Sequence, residues 1–91
     1  MVLRPHRDEM PFDPTEEESR IVGEHYDYLV SLRDQGKLVL AGPSVVSGDT
    51  IGIGVLDVDD GAEVQAIVAA DPAIVSGVMT AEIRPLRIAV R

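Results

Sequence analysis

The sequence predicts an α+β domain in which a four-stranded antiparallel sheet carries two helices on one face. Two segments place apolar residues at helical spacing, and four segments carry the apolar runs typical of strands. Their order along the chain is strand, helix, strand, strand, helix, strand, which is the ferredoxin-like βαββαβ arrangement. A chain of 91 residues has room for one domain, which we take to span residues 1–91.

The amino-acid composition of the chain excludes several classes of function. The chain carries 8 Lys and Arg against 16 Asp and Glu, a net charge of −8, and only 3% aromatic residues. Phosphate backbones require basic side chains and stacked bases require aromatic ones, so a nucleic-acid partner is not expected. No apolar run approaches the ~20 residues of a membrane span, and no secretory signal is expected. The absence of cysteine suits the reducing cytoplasm.

The first strand is predicted over Val2–Arg4 and is short. A strand of typical length, about five or six residues, would begin before Met1. The segment from Arg4 to Pro14 is polar and contains three prolines, so it is predicted to be a loop.

The first helix is predicted from Glu16 to Gln35. Thr15 and Glu18 have the spacing of a capping box, in which each side chain accepts a hydrogen bond from the other residue's backbone amide. Apolar residues recur on one stripe of this helix. Gly36 supplies the residue that readily adopts a left-handed conformation after a helix.

Two strands are predicted to follow as a hairpin. Leu38–Ala41 is the second strand and is expected to end at Gly42-Pro43. Ile51–Val58 is the third strand, and the residues between the two are rich in turn formers.

The last two elements follow from shorter patterns. Asp60 is predicted to cap a second helix, which Asp71-Pro72 ends or resets. The final strand is predicted over Met79–Ile88. Its alternation changes phase at Pro85, which indicates a bulge or a sheet edge.

The sheet face opposite the helices is predicted to meet a second copy of the chain. Leu38–Ala41 is apolar on both sides, and Ile51–Val58 places apolar residues on both sides too. A sheet face in contact with water usually alternates with polar residues. We therefore expect a homodimer whose sheets pack together, although short strands with a few exposed valines are the simpler alternative.

Two ionisable residues interrupt the apolar stripes of the predicted helices. His25 lies midway between Ile21 and Leu29 on the stripe of the first helix, and Asp71 continues the stripe of the second. The two helices are neighbours in this fold, so the side chains are predicted to meet. A carboxylate holds an imidazole in one tautomer and orientation, which makes a general acid/base pair.

Structural roles are open for both residues. A lone histidine on an apolar face is commonly a core or boundary residue. Aspartate before proline commonly caps a short helix, here Pro72–Val75. A cavity that reaches His25 would favour catalysis. Close packing around it would favour a structural pair in a non-catalytic, ligand-binding or accessory dimer.

An ordered set of short motifs resembles the YCII-related family. The motifs are Glu24-His25-Tyr26-Asp27-Tyr28-Leu29, Gly36-Lys37-Leu38, Ala41-Gly42-Pro43 and Ala70-Asp71-Pro72. The resemblance implies a ferredoxin-like fold that dimerises through its sheets, as a dimeric α+β barrel, with an active site on His25 and Asp71. Some members resemble dehalogenating or muconolactone-processing enzymes. Members usually begin with a longer first strand than this chain has.

The favoured interpretation is a small enzyme in which His25 is the general acid/base and Asp71 orients it. We expect lyase, isomerase or dehalogenase chemistry on a small anionic organic molecule, with no cofactor. No metal ion is expected, because two histidines far apart in the sequence give little support for a metal site. Arg4 or Arg84 could hold a substrate carboxylate. The residues after the second strand are further candidates for substrate binding: Gly42, Pro43 and Ser44.

Three weaker candidates remain. Ser44 or Ser47 could complete a Ser–His–Asp triad, but neither lies in a nucleophile-elbow pattern. His6 and the arginines beside it could meet a small anion, but a solvated loop is the simpler expectation. Gly52 and Gly54 alternate within a strand and are predicted to leave room beside the sheet for a side chain or a ligand.

Overall fold

The computed structural model describes residues 1–46 and 48–91. Its strands and helices follow the predicted order, with one additional short helix. The elements are β1 (Val2–Pro5), α1 (Glu16–Asp34), β2 (Leu38–Ser44), β3 (Ile51–Leu56), α2 (Gly61–Ala69), α3 (Pro72–Val75) and β4 (Met79–Glu82). The strands form one sheet in the order β2-β3-β1-β4, and each pair of neighbours is antiparallel. The α+β class is confirmed, and the arrangement is compatible with a ferredoxin-like fold.

Helix α1 begins at Glu16 as predicted and ends at Asp34, one residue before the predicted end. The Thr15 hydroxyl accepts a hydrogen bond from the Glu18 amide at 3.1 Å, and the Glu18 carboxylate accepts one from the Thr15 amide at 2.8 Å. Gly36 follows the helix with φ of 76°, a conformation that costs glycine little.

Strand β2 is longer than predicted, because Gly42-Pro43 does not end it. Pro43 pairs with Gly52, and the strand continues to Ser44. β2 is an edge strand, so a proline without an N–H can face outward there without removing a hydrogen bond from the sheet. Strand β3 is shorter than predicted and ends at Leu56 rather than Val58.

The predicted last strand, Met79–Ile88, is wrong over its second half. β4 ends at Glu82, and residues 83–91 have no regular structure. The reason lies in the neighbour of β4 rather than in its own sequence. Its sheet partner is β1, and the register pairs Glu82 with Val2, the first residue of that strand. Beyond this point β4 has no strand to pair with, and Pro85 could not donate to one.

Two hydrophobic clusters pack α1 against its neighbours. The first joins α1 to the β1–α1 loop and α3, and the second joins it to β2 and α2. The members are Met10, Ile21, Ala73 and Val78 in the first, and Leu32, Leu38 and Ile67 in the second. His25 lies between Ile21 and Leu32 on the buried side of α1.

The opposite face of the sheet is left uncovered in the single chain. The strand register places five apolar side chains there: Val2, Leu40, Ile51, Ile53 and Val55. Leu40 is 57% exposed and Ile53 is 41% exposed. In the part of the chain that is described, no helix has the length and apolar character to cross a lipid bilayer.

Candidate functional site

The His25 imidazole and the Asp71 carboxylate are in direct contact. His25 Nδ1 lies 2.8 Å from Asp71 Oδ1 and 2.6 Å from Oδ2. Both residues are buried, with 7% and 3% of their surfaces exposed. An ionised carboxylate can only accept hydrogen bonds, so Nδ1 must carry the proton. In the neutral imidazole, Nε2 then holds the free lone pair.

Asp71 reaches His25 from a position that the helical stripe did not predict. It does not belong to α2, which ends at Ala69, but is the N-cap of α3. Its Oδ1 accepts a hydrogen bond from the Ala73 amide at 2.9 Å. Asp71 therefore serves as both the helix cap and the partner of the imidazole, and α3 contacts α1 next to His25.

The second ring nitrogen of His25 is not completely enclosed by protein atoms. Nε2 has no hydrogen-bond partner among the described residues. Within the same residues, no buried side-chain nitrogen or oxygen lacks a partner. Nε2 is therefore not sealed by packing, and His25 lies on the wall of a large cavity. When a carboxylate fixes one ring nitrogen of an imidazole and the other faces a cavity, the second nitrogen can accept or return a proton.

The cavity has a volume of about 1150 Å³ and is lined by α1 and by residues of the first three strands, including Leu40, Ile51 and Ile53 of the uncovered face. Its floor consists of small and apolar residues from β1, β2 and β3. Gly52, which lines the cavity, and Gly54, which does not, leave room for neighbouring side chains, as predicted. A Cβ on Gly52 would come within 3.2 Å of Leu3, and one on Gly54 within 2.8 Å of the end of the Met1 side chain.

The structure brings only some of the other predicted binding residues to this cavity. Gly42 and Pro43 line it, whereas Ser44 does not. Arg4 projects from the opposite face of the sheet and pairs with Glu82 at 3.3 Å. Arg84 pairs with the same carboxylate at 2.9 Å. Neither arginine lines the cavity. Ser47 lies outside the described residues.

Tyr28 is a neighbour of the pair that the sequence did not single out. Its hydroxyl donates to the Ile67 carbonyl oxygen at 2.6 Å, which ties α1 to α2. Partial burial, and to a lesser extent the negative charge of Asp71, raise the pKa of the Tyr28 hydroxyl. Its spacing on α1 predicts a buried stripe but gives no sign of this hydrogen bond.

Glu18 forms a second cluster of charged groups that the sequence did not predict. It is buried and accepts hydrogen bonds from Arg7 Nε at 2.9 Å and from His6 Nε2 at 2.5 Å. The hydrogen bonds from Arg7, from the Thr15 amide and from His6, in that order of importance, hold the pKa of Glu18 far below its ordinary value. His6 is therefore tied to α1 rather than belonging to a freely solvated loop.

No metal centre is evident in the described part of the chain. Across residues 1–46 and 48–91, no three His, Cys, Asp or Glu side chains come together in a way that could hold a metal ion.

Comparison with known proteins identifies the family. No curated protein and no solved structure matches the chain. The family model of the YCII-related domain matches residues 1–87, nearly the whole length. The chain therefore belongs to the YCII-related family.

Proposed function

We propose that the protein is an enzyme that transfers a proton to or from a small organic molecule bound in the cavity beside His25. The observation that carries this proposal is the asymmetry of the imidazole. Nδ1 is held by Asp71 at 2.6 Å, while Nε2 faces the cavity without a described partner. His25 is the general acid/base, and Asp71 positions it.

The chemistry that this arrangement supports is proton transfer next to a carbonyl or a leaving group. Such steps occur in isomerases, lyases and dehalogenases. They proceed with one well-placed base and without a nucleophile on the protein. The open cavity supports this proposal over a purely structural His25–Asp71 pair, because a structural pair gains nothing from leaving Nε2 unsealed.

Deuterium exchange tests the proposal without knowledge of the natural substrate. Cyclohexanone is incubated in D₂O with the protein, and uptake at the carbons next to the carbonyl is followed by NMR. The native protein is expected to exceed the same concentration of free imidazole, and His25→Gln is expected to lose the excess. His6→Gln is the matched control, because His6 contacts Glu18 outside the cavity, and it should keep the activity. Equal rates for the native protein and His25→Gln would reject the proposal.

We also propose that two copies associate through the uncovered face of the sheet. The centre of that face is apolar, with Leu40 and Ile53 exposed. Arg4 and Glu82 at its edge pair with each other, so the face presents no excess charge. A neutral apolar surface can meet its own copy although the whole chain carries −8. The absence of cysteine agrees with a cytoplasmic location for this dimer.

Sedimentation equilibrium at micromolar concentration tests the dimer. The native protein should show about twice the 9.8-kDa chain mass. Ile53→Glu places a charge in the centre of the face and should give the chain mass. Val75→Glu is the matched control, because Val75 is exposed on α3, away from this face, and it should remain dimeric. A native protein that stays monomeric at all concentrations would contradict the proposal.

A further inference from the structure

We propose that the cavity takes a neutral, largely apolar molecule that donates one hydrogen bond to His25 Nε2. This rests on the proposed function and specifies the class of substrate for the same site. It departs from the anionic ligand expected from the sequence. Three features carry it: the pairing of the charges around the cavity, the apolar floor, and the hydrogen-bonding state of His25.

Both arginines that line the cavity are ion-paired with carboxylates of the same helix. Arg20 lies 2.5 Å from Glu17 and 3.1 Å from Glu24, and Arg33 lies 3.1 Å from Asp34. No other lysine or arginine side chain lines the cavity among the described residues. The Met1 ammonium group donates to the Gly54 carbonyl oxygen at 2.6 Å and keeps its positive charge.

Apart from the Met1 ammonium, the unpaired charge around the cavity is negative. Asp27 lines the cavity and forms no ion pair with a described residue. The chain as a whole carries −8, so the field around it disfavours the approach of an anion. A ligand carboxylate would lose its water without gaining an unpaired arginine or lysine, and that loss is costly in an apolar site.

The floor of the cavity suits a hydrocarbon body. Its side chains come from the helix-facing side of the sheet: Leu3, Ala41, Pro43 and Met79, with Gly52 between them. These residues offer apolar contact and leave the space open. The binding energy therefore comes from burying the apolar surface of the ligand against this floor.

His25 imposes the one polar requirement on the ligand. Nδ1 donates to Asp71, so Nε2 of the neutral ring is an acceptor. The ligand must present a hydroxyl or another polarised proton to it.

A matched set of probes on one ring tests the inference: cyclohexylmethanol, its methyl ether, cyclohexanecarboxylate and cyclohexylmethylammonium. Binding is measured by NMR titration of the amide signals of Gly42 and Gly52, which both line the cavity. Cyclohexylmethanol should bind most tightly, and its ether about fivefold more weakly, because it lacks the donated hydrogen bond. The carboxylate should bind at least about tenfold more weakly than the alcohol, because it must be desolvated without an unpaired arginine or lysine to receive it.

Two variants locate the binding. Ala41→Leu fills the cavity from β2 and should weaken binding of the alcohol several-fold. Ala66→Leu makes the same change on the exposed side of α2, outside the cavity, and should leave binding unchanged.

The outcomes separate this inference from the proposed function. Tighter binding of the carboxylate or of the ammonium probe would overturn the inference alone, as would equal binding of the alcohol and its ether. Failure of all four probes to shift the floor glycines would overturn it too. The proposed function fails only if proton exchange does not depend on His25.

Discussion

Replacing Asp71 removes two interactions at once, and their sum can be worked out from the structure. Asp71 caps α3 through the Ala73 amide and accepts the His25 Nδ1 proton. Loss of an N-cap costs about 1 kcal/mol. Leaving the buried Nδ1–H without a partner costs about 1–3 kcal/mol. Asp71→Ala should therefore lower the free energy of unfolding by about 2–4 kcal/mol, measured by urea denaturation at neutral pH.

Two further variants separate these contributions. Asp60 caps α2 through the Ala62 amide at 2.9 Å and has no imidazole partner, so Asp60→Ala should cost only about 1 kcal/mol. Asp71→Asn keeps the cap and an oxygen for Nδ1 while removing the charge, so it should cost less than Asp71→Ala. Equal losses for Asp71→Ala and Asp60→Ala would refute the contribution of the imidazole contact.

Three further predictions concern other parts of the molecule. The pKa of Glu18 is lowered from 4.5 in the folded state, so its contribution to stability is complete above that value and is lost as the pH falls. Urea denaturation from pH 7 to 3 should therefore show a smaller acid loss for Glu18→Gln than for the native protein, and equal slopes would contradict this. The pKa of Tyr28 is raised from 10.0, so its contribution is complete below that value and is lost as the pH rises. Tyr28→Phe should lower stability by about 1 kcal/mol at pH 7 and flatten the alkaline loss in the same assay, and a steeper loss would contradict the assignment. Finally, a chain of charge −8 should show no salt-sensitive retention of duplex DNA in a gel-shift assay at physiological salt, and a retained complex would show that a basic surface had been overlooked.

The sequence predicts those elements whose patterns depend only on residues close together in the chain. The capping box of Thr15 and Glu18 and the glycine at position 36 set both ends of α1, and the spacing of Ile21, His25 and Leu32 sets its buried side. The contact between Asp71 and His25 follows instead from the helices that the fold makes neighbours, although helical spacing assigns Asp71 to α2 rather than to the cap of α3.

Features that depend on the path of distant segments were not predictable in this way. The length of β4 is set by where β1 begins, not by the apolar alternation of residues 83–90. Likewise, the burial of Glu18 depends on the β1–α1 loop bringing Arg7 back to the helix. The charge preference of the cavity follows from ion pairs such as that of Arg20, which composition does not reveal.

In the proposed site Asp71 fixes the His25 tautomer, so that Nε2 is a free acceptor in the cavity. Long-range ¹H–¹⁵N correlation spectra of the imidazole, recorded where the ring is neutral, show which nitrogen carries the proton. The expected spectrum shows Nδ1 protonated and Nε2 unprotonated, and addition of cyclohexylmethanol should move the Nε2 signal. A spectrum with the proton on Nε2, or an Nε2 signal that does not respond to the alcohol, would contradict the claim.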